Sequence, residues 1–191
     1  MDLIFRSRLI QAVERVLHAP GNYKGGILEM TVVFDQAVPP RKHQSMIAEI
    51  AKMLKNHSEV FRNVRLNAVL WNGEEKPCTE LVPMSVLIMG KYPQDIAESK
   101  NEAEKITIKE NEQRAEITEL LSYLKLFHAR AKLIFLLTDG QFLIEEESAC
   151  EAMKPFLERK LIVITTSARP STNIFRHILE FPKETEEEKG V

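Results

Sequence analysis

Apolar residues follow two distinct patterns along this chain. Leu133-Ile-Phe-Leu-Leu-Thr-Asp-Gly140 opens with five consecutive apolar residues and stops at an aspartate and a glycine. A run without a polar face suits a strand covered on both sides, as in a parallel sheet layered between helices. Leu161-Ile-Val-Ile-Thr-Thr166 predicts a second buried strand, residues 27–34 a third that ends at Asp35, and residues 64–71 a fourth. Elsewhere the apolar spacing is helical. Phe5, Leu9, Val13, Val16 and Leu17 share one face of a helix over residues 3–17, with Asp2 as its cap. Met46, Ile47, Ile50, Met53 and Leu54 mark another helix that starts at Pro39-Pro40, its methionines serving as core filler.

The connections refine this order. Gly21-Asn-Tyr-Lys-Gly-Gly26 precedes a strand, whereas a phosphate-cradling loop follows one, so it predicts a linker turn. Residues 81–89 form another apolar run soon after Trp71, beyond an Asn72-Gly73 turn signal. A parallel crossover needs about a dozen residues or more, so this segment should pair antiparallel with residues 64–71. Pro83 cannot donate to a central ladder, which predicts a sheet edge. Residues 93–128 read as two helices or one broken helix, and the charges from Asp95 to Glu119 as a solvated face. Residues 145–160 predict a helix that Pro155 kinks or breaks. Residues 171–181 predict a short helix or coil. Three segments result: an N-terminal amphipathic helix (1–20), a single α/β domain (21–182) and an acidic disordered tail (183–191).

Composition adds exclusions more than identity. The chain has 191 residues, 44% of them hydrophobic, with a net charge of -2. That length suits one well-buried domain. The basic footprint that gives nucleic-acid binding its affinity is missing at the level of the whole chain. Cys78 and Cys150 form no CxxC pair, so buried thiols are expected. Charge interrupts the first residues too early for a signal-peptide core, and no apolar run reaches the roughly 18 residues of a membrane span. A cytoplasmic location is the expectation. The histidines His18, His43, His57, His128 and His177 show no metal-ligand spacing, and neither a GxSxG nor a GxGxxG motif is present.

Asp35 and Asp139 each end a predicted strand, at the edge where open α/β sheets bind ligands. Together with the element order, these residues resemble a von Willebrand factor A domain. In that family the first strand ends in DxSxS and the fourth in LTDG. A loop threonine completes a magnesium site, the metal-ion-dependent adhesion site. Leu137-Thr138-Asp139-Gly140 matches the second motif. Asp35-Gln36-Ala37-Val38-Pro39 keeps the aspartate of the first but places Ala37 and Pro39 where the family has serines. The loop from Gly90 to Ser99 has no matching threonine, so the site is degenerate.

The resemblance implies a Rossmann-like three-layer sandwich, with a mostly parallel sheet and an antiparallel edge hairpin. It also implies a weak or vestigial Mg2+ or Mn2+ site at Asp35 and Asp139. The expected function is a non-enzymatic interaction module. Its rim of Asp35, Gln36, Thr138, Asp139, Gly140 and Ser167 would bind a protein partner. Three other roles stay open. The two aspartates could cap the helices that follow them, a hydrolase or transferase could use Thr165, Thr166 or Ser167 as nucleophile, and a structural subunit could assemble through the N-terminal helix.

Overall fold

The computed structural model describes residues 3–57, 63–71, 77–81, 116–167, 170 and 173–183. Its elements are α1 (Leu3–Leu17), β1 (Leu28–Asp35), α2 (Pro40–Asn56), β2 (Val64–Trp71), β3 (Cys78–Leu81), α3 (Ile117–Phe127), β4 (Leu133–Thr138), α4 (Glu147–Ala152), α5 (Lys154–Lys160), β5 (Leu161–Thr165) and β6 (His177–Glu180). The strands form one sheet in the order β3-β2-β1-β4-β5-β6. Strands β2, β1, β4, β5 and β6 run parallel, so the fold is α/β.

Every residue of β4 and β5 is buried, as expected for strands with helices on both faces. Alternation along β1 divides the core. Met30, Val32 and Phe34 pack towards α1 and α2 with Leu66, Ala68, Leu133 and Phe135. Val33 faces the other layer, where α3, α4 and α5 cover Val69, Ile134, Leu136 and Val163. The apolar stripe of α1 is buried as its spacing predicts, with Phe5, Leu9, Val13, Val16 and Leu17 all inside. It lies against β4, β5 and β6 of its own chain, and Phe5 meets Phe181 edge to face at 5.2 Å. Arg6 reaches across to the buried Glu49 of α2, its Nε donating at 2.9 Å.

Two features depart from the sequence-based expectations, and two others are met. Residues 177–180 are a strand, β6, paired parallel with β5, where a short helix or coil was expected. Ile174, Phe175, Ile178 and Leu179 recur at helical spacing, yet two of them precede the strand and the other two alternate across it. The segment paired antiparallel with β2 lies at a sheet edge, as expected, but among the described residues it begins earlier, at Cys78, and enters the expected range of 81–89 at Leu81. Residues 82–89 lie outside the described residues, as do Asp2, residues 93–115 and the segment 184–191. The helix expected over 145–160 is broken near its proline, as predicted, into two helices that meet at Met153, with Pro155 in the first turn of α5. Proline fits there because its missing N–H would have had no helical partner. The other departure is that neither Asp35 nor Asp139 is a helix cap: the N-caps of α2 and α4 are Pro39 and Glu146, and neither makes a side-chain capping bond.

Candidate functional site

The direction in which the sheet is built reverses between β1 and β4. Successive strands extend outward from β1 through β2 to β3, then from β4 through β5 to β6. In open α/β sheets the crevice at such a switch point, beyond the carboxyl ends of the strands, is the place for a ligand. Here the two flanking strands end at Asp35 and Thr138, with Asp139 next in the chain.

The side chains at this point are bonded to one another. Thr138 Oγ1 donates to Asp35 Oδ2 at 2.6 Å and accepts from the Gly140 amide at 3.0 Å. Asp35 Oδ1 accepts from the Ala37 amide at 3.0 Å. Asp139 makes the same kind of turn, its Oδ1 accepting from the Gln141 amide at 2.9 Å. Both aspartates therefore close Asx turns, a role that Asp fills because its short side chain reaches an amide two residues on. Gly140 has φ +77°, a left-handed conformation that glycine adopts without steric cost. Ser167, at the end of β5, donates its hydroxyl to the Asp139 carbonyl at 2.6 Å. Gln36 joins the rim through its amide, which donates to the Trp71 carbonyl at 2.8 Å.

The six predicted rim residues thus lie on adjacent strand ends, but the two carboxylates share no bonding partner. Asp35 is only 4% exposed, whereas Asp139 is half-buried. Burial pushes the Asp35 carboxyl up to about 6. The bonds from Thr138 and Ala37 oppose that rise, and the neighbouring charge of Asp139 adds a smaller upward push. Thr165 is buried, Thr166 half-buried and Ser167 exposed.

No family model matches the chain, and no curated protein matches it. The donor set itself therefore decides how well a divalent ion fits. Magnesium prefers six oxygens in near-octahedral array. At this rim Ala37 and Pro39 bring no hydroxyl, and both Asp35 oxygens accept from protein donors. Among the described residues no group of three His, Cys, Asp or Glu side chains converges. These residues do not fit a magnesium site of the adhesion type.

Several supporting residues were not legible from the sequence. His43, in the first turn of α2, is buried with its ring edge to face on Phe34 at 5.4 Å. Its ring bonds the Asp35 main chain, burial lowers it to about 4, and its Nε2 has no hydrogen-bond partner. Glu116 holds the loop after Asp139 from the other side. It accepts from the amide and hydroxyl of Thr118 and from the Glu145 amide. Within a run of charges it read as part of a solvated face; only the Glu-x-Thr spacing at the start of an apolar helix hinted at a cap. Beneath the rim, Phe142 sits between Trp71 and Phe175, at ring distances of 6.2 and 5.8 Å.

Proposed function

We propose that this chain is a von Willebrand factor A-like interaction module that docks a protein partner on the rim of Asp35, Gln36, Thr138, Asp139, Gly140 and Ser167, without a divalent ion. The observation that carries the reading is the Thr138–Asp35 hydrogen bond of 2.6 Å across the switch point. It gives the rim a fixed shape by joining two strand ends through side chains. Fixed surfaces lose little freedom on binding, which favours association. The Ser167 hydroxyl points its proton at a main-chain carbonyl, which cannot serve as a general base. That arrangement supports docking over nucleophilic catalysis. In the same reading the pairing of β2 with β3 is the family's antiparallel edge.

A photocrosslinking amino acid tests the surface in cells. Placed at the exposed Gln141, it should give a discrete adduct with another protein. The same group at the exposed Lys55, at the far edge of the sheet, should not. Asp139→Arg, a change at the rim itself, should remove the adduct while the melting temperature stays within a few degrees. Equal labelling from both positions would refute the docking surface.

A further inference from the structure

A cavity of about 320 Å³ lies at the opposite edge of the sheet, where the C-terminal ends of α1 and α2 meet the loop before β1. Ligand pockets span about 300–1,000 Å³, so this one suits a small molecule. Its floor is apolar: Ile10, Val13 and Leu17 come from α1 and Met53 from α2, the last three buried. Its rim is different in kind. His18, Lys24 and His57 surround the opening, and Glu14 is the single carboxylate.

Donors outnumber acceptors at that rim. Lys24 offers three N–H groups and each imidazole at least one. None of these three side chains is held in a salt bridge among the described residues. The Tyr23 hydroxyl, also at the rim, is already donated to the Gly26 carbonyl at 3.0 Å. The wall that presents Tyr23 and Lys24 is the glycine-rich turn, with Gly21, Gly25 and Gly26 at φ +79°, +97° and +89°. A Cβ at any of the three would meet no atom within 4 Å, so backbone conformation and not crowding calls for glycine there.

We propose that this cavity binds an amphipathic anion, with an apolar chain on the floor and a carboxylate-like head at Lys24, His18 and His57. The site is separate from the strand-end rim and stands whether or not that rim docks a partner. Methionine methyl groups labelled with carbon-13 give a local readout, because Met53 lies on the cavity floor while Met30 and Met46 are buried elsewhere in the same core. Titrating the full chain with octanoate should move the Met53 resonance saturably and leave those of Met30 and Met46 in place. Octylamine, of equal chain length and opposite charge, should bind about tenfold more weakly. Lys24→Glu, on an exposed loop, should weaken octanoate by about tenfold and favour octylamine. The proposal is overturned if octanoate leaves Met53 unmoved, if the amine binds as well as the acid, or if Lys24→Glu leaves octanoate affinity unchanged.

Discussion

Asp35 and His43 are neighbours whose titrations oppose each other. The Asp35 carboxyl rises from 3.8 to about 6 on folding, so the folded chain binds more protons than the unfolded one between those values. Stability from this group therefore falls as pH rises from about 4 to 6, by roughly 3 kcal/mol. The His43 ring drops from 6.5 to about 4, so there the unfolded chain binds more protons. Its contribution is present above 6.5 and is lost as pH falls towards 4, again by roughly 3 kcal/mol. In the wild type the two slopes nearly cancel. Asp35→Asn should expose the histidine slope, gaining stability relative to wild type as pH rises through 6. His43→Leu should expose the opposite slope, gaining relative to wild type as pH falls below 6.5. Urea unfolding of the three proteins at several pH values between 4 and 8 measures both differences. Parallel curves would show that neither group is buried as described.

At the scale of elements, α1 belongs to the three-layer core. Leu9 is 1% exposed and Leu3 is 74% exposed on the same helix. Leu9→Ala should cost about 2–5 kcal/mol through lost burial and the cavity left behind. Leu3→Ala should stay within about 0.5 kcal/mol. Similar losses from both, read by denaturant unfolding, would mean that α1 does not sit on the sheet in solution. Continuous apolar runs made β4 and β5 legible in the sequence, the apolar residues from Leu28 to Phe34 that stop at Asp35 made β1 legible, and the buried stripe made α1 and α2 legible. β6 was not, because four residues at an edge, His177 to Glu180, carry too little alternation to outweigh the helical spacing of their apolar neighbours. The Arg6–Glu49 pair was hidden for another reason. Its members are distant in sequence, and each alone reads as an ordinary polar position on an amphipathic helix.

Across the whole molecule, the position of the rim was legible and its internal bonding was not. Asp35 and Asp139 mark strand ends in the sequence, but a sequence does not say that Thr138 turns its hydroxyl onto Asp35. That bond bears on metal dependence. An ion held only by the folded state at about 100 times its dissociation constant would add about 2.7 kcal/mol. For a domain of this length the melting temperature would rise by about 5–10 °C. We expect no such rise when excess magnesium or manganese replaces EDTA. Asp139→Ala should cost about 1 kcal/mol in either medium, from loss of the turn bond to Gln141. A metal-dependent rise in the wild type that vanishes in the mutant would restore the adhesion-type site.

The seat of α1 on β4, β5 and β6 also has a consequence for synthesis. The helix emerges from the ribosome long before the three strands that cover it. At about 5–20 residues per second, the interval is on the order of ten seconds. Throughout it, Phe5, Leu9, Val13 and Val16 lack the strands β4 to β6 on which the helix is seated, and the side of the helix that Asn22 later helps to fasten is unfastened. Asn22 donates its amide to the carbonyls of Val16, Lys132 and Arg159, which come from three separate stretches of the chain. That fastening cannot close until the end of α5 has been made, so a nascent chain stalled before Arg159 should display an apolar helix to chaperones, whereas the finished chain hides it.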